Sequence, residues 1–167
     1  MNNQLTKSDI KKMEDEINYR KVVKRYELLE AVKEARAQGD LSENFEYYAA
    51  KREKNRNESR IRYLERMVKT AEIVDDSSSD DEVGINNTVV IYIPEDDETE
   101  TVRLVTTVRG DALNGLISIE SPMGKALLKR KLGDKVTINT ETGYSYDVII
   151  KEIIKTSDDS KDEIRQF

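Results

Sequence analysis

The sequence predicts an α+β protein: an N-terminal long antiparallel α-helical coiled-coil hairpin followed by a small C-terminal α+β domain. Three observations carry this reading. From Thr6 to Val74 there is no proline, and Gly39 is the only glycine. The segment DDSSSDDE at 75–82 is then wholly polar. Beyond it the apolar residues change from a period of three or four to one of two, the difference between a helix and a strand.

Thr6 with Asp9 three residues later gives a helix start signal. Ile10, Met13, Ile17, Val23, Tyr26, Leu29, Val32 and Ala35 then recur at mostly helical spacing. After the break come Phe45, Tyr48 and Ala49, then Ile61, Leu64, Val68, Ala71 and Val74. Two helices of about 30 residues, each about 45 Å long, account for this pattern. A short connection makes them antiparallel and places the tip at residues 39–44. Pairing residues whose numbers sum to about 81 satisfies both ends of the hairpin at once.

The second helix contains KREKNRNESR at 51–60, with five basic residues and no apolar one. A coiled-coil seam does not lapse for that long without reason. Either this is a solvated face with local ion pairs, or it is a cationic strip suited to nucleic-acid phosphates.

In the second domain, Thr88–Ile93 reads as a strand, Glu95–Glu100 as an acidic loop and Thr101–Val108 as an alternating strand. Leu116–Ile119 is a further strand. Ser121-Pro122 opens a helix to about Lys131, with proline at an allowed first-turn position. Lys135–Asn139 and Tyr144–Ile154 are strands joined through Thr142-Gly143. The boundaries are 1–76 for the hairpin, 77–83 for an acidic linker, 84–155 for the second domain and 156–167 for a polar tail.

Composition limits the chemistry. Cysteine and histidine are absent, which removes thiolate and imidazole metal sites and the corresponding nucleophiles and bases. Carboxylates remain, and they suit hard ions such as Mg²⁺. Residues 1–74 hold 17 basic and 14 acidic side chains, whereas residues 75–167 hold 11 and 20. The acidic second half argues against phosphate binding there. MNNQLTKSDIKK lacks an apolar stretch of signal-peptide length, and no run reaches about 18 apolar residues. A soluble cytoplasmic protein with no membrane partner is expected.

Asp40 and Glu43 stand three residues apart at the tip. By spacing alone they read most simply as a capping box, with Asp40 as N-cap of the second helix and Ser42 as another candidate cap. The wider stretch EARAQGDLSENFEY at 34–47, continued by Tyr48-Ala49-Ala50-Lys51 and Ser59-Arg60-Ile61-Arg62-Tyr63-Leu64-Glu65, closely resembles the Gre family of bacterial transcript-cleavage factors. IESPMGKALL at 119–128, followed by Gly133-Asp134, resembles the loop and helix of that family's C-terminal domain, whose fold is similar to FK506-binding proteins. The resemblance covers about residues 5–154. The sequence departs from the family pattern at Tyr26, where proline is frequent, in the unusually acidic linker, and in the tail from Thr156.

The resemblance implies a transcription elongation factor that is not itself an enzyme. Such a factor inserts its coiled coil into the secondary channel of bacterial RNA polymerase and stimulates cleavage of backtracked nascent RNA. Asp40 and Glu43 match the two tip acids, which share Mg²⁺ with the polymerase; no tightly bound cofactor is implied. Glu120, Ser121 and Pro122 match the polymerase-docking loop. Arg36, Arg52 and Arg56 are candidate cations for the RNA 3′ end by nearness to the tip, with surface solubility as the alternative. A contact with DNA is left open. Three other readings stand beside this one: a channel binder that regulates or inhibits without promoting cleavage, a prolyl isomerase, and a plain scaffolding coiled coil. The second is poorly served by the sparse aromatics Tyr92, Tyr144 and Tyr146, and the third by the polar gap in the seam.

Overall fold

A computed structural model of the chain describes residues 3–39 and 44–166. It forms two units, one of Asp9–Ala71 and one of Met1–Ser8 with Glu72–Phe167.

The first unit is the helical hairpin. Helix α1 (Lys7–Tyr19) begins directly after Thr6, with Asp9 in its first turn. It passes through a five-residue π-helical stretch, Arg20–Lys24, into α2 (Arg25–Ala37). Helix α3 (Phe45–Lys69) returns. Cross-helix bonds join Glu16 to Arg60, Arg20 to Asn57, Arg25 to Glu58 and Ala35 to Asn44. One set of numbers rises as the other falls, so the arms are antiparallel.

The phase of both arms differs from expectation. Val23 and Tyr26, expected in the seam, are exposed. The N–H of Arg25 bonds the Arg20 carbonyl five residues back. A π turn holds one residue more than an α turn, so the less exposed face moves to Lys24 and Arg25. On α3, Phe45, Tyr48 and Ala49 are exposed too. The less exposed series is Tyr47, Ala50, Lys54, Asn57, Ile61, Leu64, Val68 and Ala71, in alternating steps of three and four. The seam therefore continues through the apparent gap, with Lys54 and Asn57 in seam positions.

In the second unit, β1 (Gln4–Leu5) pairs in parallel with β2 (Glu72–Ile73), a pairing that the sequence did not signal. The main sheet contains β3 (Thr88–Ile93), β4 (Glu98–Val105), β5 (Leu116–Ser118), β6 (Lys135–Asn139) and β7 (Ser145–Ile154). Its order is β5-β4-β3-β7-β6, antiparallel except for the β4–β5 pair. In β3 every second residue is buried, as a strand with one face on a core requires. Val89, Ile91, Leu104, Val136, Ile138, Val148 and Ile150 form that core with Val83, Ile119 and Leu127. Leu127 belongs to the short helix α4 (Pro122–Leu127).

Several boundaries move, including that of the hairpin, expected over 1–76, whose unit is Asp9–Ala71. β4 starts at Glu98, inside the expected acidic loop, because residues 98–100 pair with Ile91–Ile93. It ends at Val105, before a 3₁₀ turn at Thr107–Arg109. Helix α4 stops at Leu127 rather than near Lys131. The Lys129 N–H bonds the Val83 carbonyl, and the Val83 N–H bonds the Arg130 carbonyl, so this backbone is committed to the end of the acidic segment. That segment is consequently no free linker at its end, where Val83 is fully buried. The tail also packs: Ile164 is buried and the Arg165 N–H bonds the Val108 carbonyl.

Candidate functional site

The hairpin turn is built from its two flanks. Gly39 leaves α2 at φ 130°, a conformation that suits glycine because it has no Cβ. Asn44 enters α3 as its N-cap: its side-chain oxygen accepts from the Tyr47 N–H at 3.0 Å. The same amide donates through Nδ2 to the Ala35 carbonyl at 2.6 Å. One side chain therefore satisfies an N–H in the first turn of α3 and adds a second bond to the Ala35 carbonyl of α2, which also accepts from the Gln38 N–H. Asp40 and Glu43 lie outside the described residues, as does Ser42. The N-cap position of α3 belongs to Asn44, because α3 begins at Phe45; the capping roles expected of Asp40, Glu43 and Ser42 fall on residues outside those described.

Arg36 stands beside this closure. Its guanidinium lies 5.6 Å from the centre of the Tyr47 ring, and Nη2 donates to the Tyr47 hydroxyl at 3.4 Å. That bond is the main reason the Tyr47 hydroxyl titrates below its ordinary 10.0. Arg52 and Arg56 are exposed farther along α3, about 12 and 18 Å of helix from Asn44. Arg56 pairs with Glu53 at 2.7 Å. The structure thus groups Arg36 with the turn and leaves Arg52 and Arg56 along the arm.

The basic gap also contains a polar layer between the arms. The Arg60 side chain is 7% exposed and bonds Glu16 at 2.9 Å, while Arg20 bonds Glu16 at 2.7 Å. Arg20 also donates to the Asn57 side chain at 2.9 Å, and Asn57 returns a bond to the Arg20 carbonyl at 3.3 Å. That carbonyl is the acceptor of the π turn. Burial pushes the Glu16 carboxyl up, but the bonds from Arg60 and Arg20 outweigh it, and the net shift is below 4.5. Arg25 reaches Glu58 through two nitrogens, at 2.8 and 3.1 Å. The sequence marks this layer only as missing apolar residues, without showing which of the polar ones turn inward.

In the sheet unit, Ser121 caps α4 by accepting from the Gly124 N–H at 3.0 Å, with Pro122 at the helix start. Gly124 is required, because a Cβ there would lie 1.9 Å from the Ser118 carbonyl oxygen. Glu120 accepts from the Thr107 hydroxyl at 2.5 Å, and its N–H donates to the Ser118 hydroxyl at 3.1 Å. The loop is thus tied to the 3₁₀ turn at Thr107–Arg109. Beside it lies an open groove of about 670 Å³ lined by Leu113, Leu116, Pro122, Met123, Ile138 and Tyr146, among others. Leu113 is 99% exposed, and nothing in the sequence pattern singled it out. Among the described residues Tyr146 is the one aromatic in this lining, which gives no aromatic cage for proline among them.

Among the described residues, no group of three or more acidic side chains is placed to hold a metal ion, and no helix is long and apolar enough to cross a membrane. The molecule is therefore an α+β factor with a polar-layered helical hairpin and a grooved sheet unit. Residues 3–73 match the family described as transcription elongation factor, N-terminal, and residues 78–155 match transcription elongation factor, GreA/GreB, C-term. The transcription elongation factor GreA of Streptococcus gordonii is 44% identical over 153 residues, covering 91% of this chain and 95% of the relative. That of Thermoanaerobacter pseudethanolicus is 44% identical over 140 residues, covering 83% and 89%. The crystal structure of GreA factor homolog 1 from Thermus thermophilus is 28% identical at a TM-score of 0.40, covering 90% of this chain and 97% of that one. The chain belongs to the GreA/GreB family of transcription elongation factors.

Proposed function

We propose that this elongation factor acts on bacterial RNA polymerase by carrying Asp40 and Glu43 to the active centre of a backtracked complex, where they stimulate cleavage of the nascent RNA. The observation that carries the reading is the cap of α3. Asn44 caps α3 and bonds the Ala35 carbonyl of α2, which ties together the two flanks of the segment that carries both carboxylates. Their chemistry fits Mg²⁺, a hard ion that takes oxygen ligands in an octahedral shell. Asp40 and Glu43 would hold it together with acids of the polymerase, since two carboxylates leave most of that shell open. Bound there, Mg²⁺ lowers the pKa of water and stabilises charge in phosphodiester cleavage.

The chain's own residues present and orient those acids. Asn44 closes the turn that carries them, and Arg36, fixed over Tyr47, offers a cation for the RNA 3′ end. Arg52 and Arg56 extend that positive track along α3. Glu120, Ser121 and Pro122 with the adjoining groove are the surface we assign to polymerase docking, because apolar side chains there remain in solvent beside a rigidly bonded loop.

A transcript-cleavage assay on stalled, backtracked polymerase tests this. Adding the protein is expected to raise the cleavage rate. Asp40→Asn with Glu43→Gln is expected to remove at least about 100-fold of that stimulation while polymerase binding persists. Full stimulation by the double variant would refute the ligand assignment. Binding without stimulation by the unaltered protein would favour a channel binder of the non-cleaving kind.

A further inference from the structure

The residues beyond the matched 78–155 region are built into the sheet unit at one charged point. Both oxygens of Asp162 accept from Arg103 Nη1 at 2.9 Å, and Oδ2 also accepts from Arg109 Nη1 at 2.9 Å. The Arg109 side chain is fully buried and that of Asp162 is 9% exposed. Arg103 Nη2 additionally donates to the Asp158 carbonyl. Two residues past Asp162, Ile164 is buried, and the Arg165 N–H donates to the Val108 carbonyl at 2.8 Å.

Val108 and Arg109 belong to the 3₁₀ turn Thr107–Arg109. Thr107 in that same turn holds the Glu120 carboxylate and shares a hydrogen bond of 2.6 Å with the Ser118 hydroxyl. The Ser118 carbonyl accepts from the Ser121 hydroxyl at 2.7 Å. A continuous bonded path thus runs from the tail, through one turn, to the loop assigned to docking. Arg165 itself lines the groove beside that loop.

We propose that residues 156–166 form a strap that positions the polymerase-docking loop, with Asp162 as its positioning residue and Arg165 forming part of the groove wall. This inference rests on the docking role assigned to Glu120–Pro122. The buried Arg109 guanidinium needs a charge partner, and on this chain that partner is supplied by the tail. Loss of Asp162 loosens the turn, although the Arg165 bond to Val108 remains, and the loop then spends only part of its time in the shape that binds. Apparent affinity falls in proportion to that fraction. The acids of the hairpin are untouched, so the cleavage rate at saturation is preserved.

The test uses full-length Asp162→Ala and Asp162→Asn, with Leu113→Glu as a groove comparator on a fully exposed side chain. Amide hydrogen exchange of the free protein and cleavage titrations against factor concentration are measured for each. For Asp162→Ala, exchange at residues 107–121 is expected to accelerate by on the order of tenfold. The concentration giving half-maximal cleavage is expected to rise by a similar factor, about tenfold, if the competent fraction falls to about one tenth, with the maximal rate unchanged. Asp162→Asn keeps an accepting oxygen and is expected to shift both readouts less. If the alanine variant does not fold, the asparagine variant carries the same comparison. Unchanged exchange in the 107–121 region, or a lowered maximal rate at unchanged half-maximal concentration, overturns the strap. If Leu113→Glu weakens binding and a faster-exchanging Asp162 variant does not, docking stands and the strap falls. If neither weakens binding, the docking assignment falls and takes the strap with it.

Discussion

In the sheet unit a large apolar cluster runs from Val83 to Ile150, and the buried polar side chains Asn87, Thr106 and Arg109 lie outside that cluster. In the hairpin, Met13, Ala35, Ile61 and Leu64 are the buried apolar side chains among the described residues, and Asp9, Asn57 and Arg60 are buried with them. The first arrangement is held by area removed from water, which is non-directional. The second depends on hydrogen bonds whose partners must meet in one register, since a buried charge or amide without a partner is costly. A long arm of two helices cannot enclose a thick core, so a polar layer can specify its alignment where apolar packing alone would tolerate slippage. The polar gap that made a plain scaffold a poor reading thus holds bonded polar side chains between the arms, and it leaves Arg52 and Arg56 on the outside.

Three changes sharpen the contrast. The largest effect is expected for Leu104→Ala, which empties a fully buried position and should cost about 2–5 kcal/mol in urea unfolding. A loss below about 1 kcal/mol would show that the sheet core is looser than its burial implies. Next comes Glu16→Gln, which weakens the bonds to Arg20 and Arg60 and should cost about 1.5–3 kcal/mol at neutral pH. The folded-state pKa of Glu16 is depressed below 4.5. Its contribution is therefore complete above about 4.5 and is lost as pH falls through the lower folded value. Thermal melts of the two proteins should differ most near neutrality and converge in acid; a gap that widens on acidification would contradict the sign. The smallest effect is expected for Asn44→Ala, about 1 kcal/mol from the lost cap. Faster amide exchange at Tyr47 would report it, and protection equal to that of the unaltered protein would break the clamp assignment.

The two units also differ in how far their sequence betrays them. The strands Thr88–Ile93 and Lys135–Asn139 follow from β-rich composition and turn residues and occur over those residues. Alternation has a period of two, so a strand offers only two faces to choose between. A helix offers a continuous rotation, and one extra residue in the Arg20–Lys24 turn is enough to move Val23 and Tyr26 from the expected seam to the surface. At the candidate site, the two tip acids and the Ser121-Pro122 loop were legible as residue patterns. Asn44 was legible as a residue type but not as the clamp, because its acceptor, Ala35, belongs to the other arm.

By itself the sequence determined the fold class, the order of the two parts, the antiparallel sense of the arms and the restriction of the chemistry to oxygen ligands. These follow from period, turn residues and composition, which are local properties. Tertiary structure alone decided that Asn57 and Arg60 face Arg20 and Glu16, that Val83 ends α4 by pairing with residues 129 and 130, and that Asp162 holds Arg103 and Arg109. Each of those joins residues at least about 35 positions apart, and such partners are chosen by satisfying buried polar groups in three dimensions.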